Sequence, residues 1–266
     1  GKGGHAEQSA RNGLIGVAPD AKLINAKVLG DQGSGADTWI AAGVDWAVAQ
    51  GANVISMSLG SAQRSNTIVA ACQRAIDAGV LVVIAAGNAG PGNNTVGWPG
   101  AMPGAVCVAA VAENLVVASF SSRGSQLVVA APGVQIESTY PGGRYAKMSG
   151  TSMATPYVAG CAALYVEACQ KSGIKPTQQE FISLISSNSR DLGTAGRDTQ
   201  YGFGLIQPVK ILGKIAPPPV DPPVDPPVDP PVDRPVTVKW DDLKEESKIR
   251  LKNAGLDSFS VEIDLK

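Results

Sequence analysis

A three-layer α/β/α fold, with helices on both faces of a mostly parallel central sheet, is what this sequence predicts. Three observations predict it. From Gly16 to about Gly213, short apolar runs of strand length alternate with segments of helical period. Gly-rich loops follow these runs at Gly30, Gly60 and Gly87. A nearly all-apolar stretch from Ser152 to Gln170 reads as a helix buried at the centre. Strands separated by helices of this length pair in parallel, and a parallel sheet is covered on both faces.

The elements follow in order. Lys22 to Leu29 reads as a strand from its apolar and β-branched content. Thr38 to Gln50 places Ile40, Val44, Trp46 and Ala47 at helical spacing. Asn53 to Leu59 is a strand, Asn66 to Ala78 a helix, and Val80 to Ala86 a strand to be buried on both faces. Pro176 opens a further helix to about Ser186, and Tyr201 to Ile206 reads as the closing turn of the domain. Sites in open α/β sheets gather beyond the carboxyl ends of the strands, so the loops at Gly30, Gly60 and Gly87 are where chemistry is expected.

The bulk properties bound the function. At 266 residues and 44% apolar content, one sizeable core plus something small is expected. A net charge of −1 offers no electrostatic footprint for nucleic acid or for an anionic membrane. No apolar run reaches the ~18–20 residues of a membrane span. The chain opens on Gly1 rather than Met, so a processed or cut start is expected. Cys72, Cys107, Cys161 and Cys169 show no metal-ligand spacing. Cys161 lies on the apolar helix and reads as core, while Cys107 and Cys169 are a candidate bridge in an oxidising compartment.

The organisation reads as three parts. Residues 1–215 form the α/β domain. Residues 216–236 are a Val-Asp-Pro-Pro repeat, an extended polyproline-II linker because proline removes donors and fixes φ; its aspartates argue against an SH3-type ligand. Residues 237–266 hold Val238-Lys239-Trp240, a charged helical stretch from Asp241 to Asn253, and strand-like alternation from Ser258 to Leu265. That is too short for a stable domain by itself, and reads as the opening of an appended module or an ordered tail.

The segment Gly150-Thr151-Ser152-Met153-Ala154-Thr155-Pro156 carries the chemistry. It sets a hydroxyl at a helix N-terminus, where orphan N–H groups and the helix dipole favour the negative charge that nucleophilic attack creates. Around it, in order, stand Gly16-Val17-Ala18-Pro19, Lys27-Val28-Leu29-Gly30, Gly33-Ser34-Gly35, Ile55 to Gly60, Ala85-Ala86-Gly87-Asn88, Phe120 to Gly124 and Ala131-Pro132-Gly133. From Asn12 to about Leu212 the chain resembles the latter part of a subtilisin-like serine peptidase domain (family S8), with spacing closest to the proteinase K-like branch.

The resemblance implies a subtilisin-like fold lacking its N-terminal part, and a serine endopeptidase working through an acyl-enzyme. Ser152 matches the family nucleophile and Asn88 the oxyanion-hole asparagine. Gly33, Ser34, Gly35 and Ser58, Leu59, Gly60 match the two segments that pair with substrate backbone as an antiparallel ribbon. Ala85, Ala86, Gly87 and Gly97 match the walls of the S1 pocket. Leu59 and Ile40 are expected to border S4, with Asp37 at its rim favouring basic or polar side chains. Trp98-Pro99 resembles a loop whose proline is often cis. Polypeptide substrates, secretion and a monomer are expected; no cofactor is, and calcium has no identifiable site.

The match fails at the N-terminus. The family aspartate block is absent, and Gly1-Lys2-Gly3-Gly4-His5 places Lys2 in the catalytic histidine column and His5, the one histidine, in the next. A truncated or disturbed N-terminus is the expectation, with His5 or Lys2 as base the alternatives. The chain as written is therefore expected to be impaired. A catalytically inactive peptide-binding pseudoprotease is the competing function. A Ser-Glu-Asp peptidase would put aspartate at Asn88, and Gly87 to Gly92 lacks the glycine order of a dinucleotide loop.

Overall fold

The computed structural model describes residues 14–215, 236–239 and 260–263. The chain divides into two units, Gly1–Pro219 and Val220–Lys266. In the first, α1 (Asp37–Ala49), β1 (Val54–Met57), α2 (Asn66–Asp77), β2 (Leu81–Ala85), β3 (Val106–Val111) and β4 (Val129–Pro132) are followed by a hairpin of β5 (Ile136–Tyr140) and β6 (Arg144–Met148). Helices α3 (Thr151–Lys171), α4 (Gln178–Asn188) and α5 (Pro208–Leu212) complete it. In the second unit β7 (Val236–Lys239) pairs antiparallel with β8 (Ser260–Ile263). Residues 216–235 of the predicted linker and the stretch Asp241 to Asn253 lie outside the described residues, while Val236, its last predicted residue, opens β7.

The sheet runs β1-β2-β3-β4, every pair parallel. All five residues of β2 and all six of β3 are buried, as continuous apolar runs in a doubly covered sheet should be. Alternation sorts their side chains by face. Leu81 and Val83 of β2, with Val106 and Val108 of β3, join the cluster under α3 and α4 that holds Tyr165 and Phe181. Val82 and Ile84 point the other way, onto Ile40 and Val44 of α1 and Ile68 and Cys72 of α2. The three predicted layers are thereby formed.

Helix starts follow local chemistry. Ser65 caps α2 by accepting from the Ile68 N–H at 3.3 Å, and Thr177 caps α4 by accepting from Glu180. The second cap moves the start of α4 to Gln178, past the predicted Pro176. Gln178 is buried and acts as a substitute strand: its Oε1 accepts from Val82 N at 2.9 Å, and its Nε2 donates to Val82 O and Gly104 O.

Two expectations are corrected. Lys22 to Leu29 is not a strand, and Leu23 is 83% exposed. A strand exists only through a ladder partner, and among the described residues none pairs with this segment, although Val28 packs on the α1 side. Cys107 and Cys169 form no bridge; all four cysteines are free and buried. The alternation of β3 explains it: Cys107 faces the cluster holding Leu127 and Tyr201, whereas Cys169 belongs to α3, on the opposite side of the sheet. Burial pushes the Cys107 and Cys161 thiols up to about 12 and that of Cys72 to about 11.

Candidate active site

A parallel sheet brings all its carboxyl ends to one edge, and the candidate residues emerge there. Ser58, Leu59 and Gly60 leave β1; Ala86, Gly87 and Asn88 leave β2. The N-terminus of α3 is tied to the same edge. The Gly150 N–H donates to Gly133 O at 2.8 Å, and the Gly133 N–H donates to Val111 O at 3.0 Å. A Cβ at Gly133 would stand 2.7 Å from the Ala110 Cβ and 2.8 Å from Gly150 O, so only glycine lets the two backbones meet here.

Thr151 then fixes Asn88. Its N–H donates to Asn88 Oδ1 at 2.9 Å, and its hydroxyl donates to the same oxygen at 3.0 Å. A backbone N–H only donates, so the oxygen of the carboxamide must face Thr151 and the Nδ2 must face away. The Gly87 N–H donates to Thr151 Oγ1 at 3.2 Å, which tethers the loop after β2 to the first turn of α3. Asn88 Nδ2 and the Ser152 backbone nitrogen both lie near one point: a Cβ built on Gly150 would stand 3.5 Å from the first and 3.6 Å from the second. Asn88 Nδ2 has no hydrogen-bond partner among the described residues.

The first turn of α3 contains a gap in its ladder. Pro156 has no N–H, so the Ser152 carbonyl four residues earlier loses its helical donor. Ser58 fills the place: its hydroxyl donates to Ser152 O at 2.9 Å. The end of β1 thus holds the backbone of Ser152, and the end of β2 holds the neighbouring turn.

These elements enclose a groove of about 800 Å³. Ser152, Asn88, Gly33, Ser34, Gly35, Ser58, Leu59, Gly60, Ala85, Ala86, Gly87 and Gly97 all line it, as do Ile40 and Asp37. One wall is closed by reciprocal backbone bonds between Ser61 and Trp98, each 2.8 Å, and Gly97 N donates to Ala86 O at 2.9 Å. The Trp98–Pro99 bond is cis. Among the described residues the only charged side chains on the groove are Asp37 and Arg64. Lys2 and His5 lie outside the described residues, and within those described no group of three or more His, Cys, Asp or Glu side chains is placed to hold a metal.

Sequence reasoning missed Thr151, Pro156 and Arg64. Thr151 sits beside Ser152 in the motif, but its bond to Asn88 spans 63 positions and leaves no local signal. The role of Pro156 was readable, since counting four residues back from a helical proline identifies an orphaned carbonyl.

Comparisons with known proteins identify the family. The family model described as the subtilase family, Peptidase_S8, matches residues 3–204. Subtilisin E of Bacillus subtilis (strain 168) is 48% identical over 196 residues, covering 73% of this chain and 50% of that protein. A thermostable alkaline protease of Halalkalibacterium halodurans is 49% identical over 194 residues, covering 73% and 51%. Among solved structures, sphericase superposes with a TM-score of 0.65 at 38% identity, covering 74% of this chain and 72% of its own. The chain spans about half the length of these two relatives. A parallel sheet whose carboxyl edge meets the Gly-Thr-Ser start of a buried helix, together with a family match over most of its length, makes this chain a member of the subtilase family.

Proposed function

We propose that the protein is a serine endopeptidase that cleaves polypeptides through an acyl-enzyme, with Ser152 as nucleophile. One observation carries this reading: Asn88 Nδ2, turned away from Thr151, and the Ser152 backbone nitrogen both lie within 3.6 Å of one point beside Gly150. Two preorganised donors at that place stabilise the oxyanion of a tetrahedral adduct without reorganising when charge develops. The lining segments Gly33 to Gly35 and Ser58 to Gly60 offer backbone to an extended peptide, and Ala85, Ala86, Gly87 and Gly97 leave room for a large P1 side chain. Secretion and a monomeric state accompany this reading.

The test is covalent labelling with a fluorophosphonate, in this chain and in a form extended by its upstream coding sequence. Labelling at Ser152 in the extended form, lost on Ser152→Ala, is expected. A second reading, peptide binding without cleavage, is motivated by Lys2 in the histidine column. It predicts peptide binding by the extended form with no labelling of Ser152.

A further inference from the structure

We propose that Arg64 is a specificity-determining residue of this groove, selecting a peptide with an acidic side chain about four residues ahead of the bond to be cleaved. The inference rests on the peptide-binding reading above. Arg64 lines the groove and lays its guanidinium over the Trp98 ring, 5.1 Å from the centroid. That ring is its only partner among the described residues; no ion pair or hydrogen bond there occupies its N–H groups. A cation–π contact does not use up the N–H donors of a guanidinium, which stay available to a carboxylate. The platform is fixed, because Trp98 is bound to Ser61 by backbone bonds in both directions.

Position follows from the strand geometry. Ser58 touches Ser152, and at about 3.3 Å per residue the Ser61–Trp98 pair lies roughly 10 Å farther along the wall. A peptide antiparallel to Ser58–Gly60 runs toward Ser152 with its carboxyl end. The residue beside Trp98 is therefore on the amino side of the bond, about four positions back. Asp37, the groove's other charge, stands in the first turn of α1. An acidic side chain beside Trp98 meets the cation; a basic one is repelled by it.

The experiment uses fluorescent peptides whose scissile amide is replaced by a reduced isostere, with Glu, Gln or Lys at that position. Affinity is read by anisotropy on the full chain, its Arg64→Ala and Arg64→Glu forms, with thermal melts to verify folding. Glu is expected to bind about three- to fivefold more tightly than Gln at low salt, the range of an exposed charge pair. The preference should vanish in Arg64→Ala, turn toward Lys in Arg64→Glu, and shrink in about 1 M NaCl as the Debye length falls to about 3 Å. Binding without a Glu preference, a Lys preference in the unmodified chain, or a preference unmoved in Arg64→Glu overturns the inference and leaves the peptide-binding reading intact. Failure of every peptide to bind overturns both.

Discussion

The two sides of the sheet's carboxyl edge are held in different ways. At the β2–α3 side, Asn88, Thr151 and Gly87 are linked by hydrogen bonds of 2.9 to 3.2 Å above strands buried along their full length. At the β1 side, the segment from Lys22 to Leu29 leads into the Gly33–Gly35 wall with no ladder partner among the described residues, and Leu23 stands 83% exposed. The groups proposed to stabilise charge are on the rigid side; a wall proposed to receive peptide is on the less supported one. Donors for a developing oxyanion must not reorganise, whereas a wall that pairs with an extended chain gains its ladder from that chain.

Four perturbations test this contrast, from the largest effect to the smallest. Asn88→Asp keeps an oxygen for Thr151 but replaces the outward N–H donors with an acceptor. Acylation of Ser152 by a fluorophosphonate in the extended form should slow by about 10²–10³ with little change in melting temperature. A rate within threefold of the parent would detach Asn88 from the proposed role. Gln178→Leu leaves Val82 N, Val82 O and Gly104 O without their side-chain partner beneath the rigid side. Each orphaned buried group costs about 1–3 kcal/mol, so urea unfolding should show a loss of about 3 kcal/mol or more.

The buried thiols give a pH signature. Their folded values lie above the ordinary thiol value, with Cys107 and Cys161 at about 12, so the native state holds protons that the unfolded chain releases. Their contribution is complete below the unfolded thiol pKa, about 8.5, and is lost as pH rises from there toward the folded value. Between about pH 9 and 11 each such thiol adds about 1.4 kcal/mol per pH unit to the fall in stability, and Cys107→Ala should flatten the curve by that amount. Four thiols titrating with Ellman's reagent only after denaturation would verify that no bridge forms. The smallest effect is expected on the β1 side: Leu23→Ser should change stability by less than about 0.5 kcal/mol, because its side chain is already in water.

What the sequence made legible was local or periodic. The apolar run of β2 and the helical spacing of Ile40 and Val44 identified the layers, because burial on both faces of a strand writes a continuous apolar run and burial of one helix face writes a 3.6 period. The groove's lining residues were legible through ordered motifs. Illegible were relations between distant positions. Lys22 to Leu29 has strand composition, but composition carries no information about whether a neighbour is present to pair with it. The face of Cys107 depends on the register of β3 against β2, in which Cys107 stands beside Ile84. The orientation of the Asn88 amide depends on a threonine in another element.

The missing N–H of Pro156 has a consequence for portability. Seven consecutive residues look like a transferable cassette, yet their opening turn is completed by a hydroxyl borrowed from the end of β1. A grafted copy of Gly150 to Pro156 on a foreign helix would begin with a frayed carbonyl unless the host supplied an equivalent of Ser58. The unit that evolution or an engineer must move intact is a pair of distant pieces, one of them a single serine.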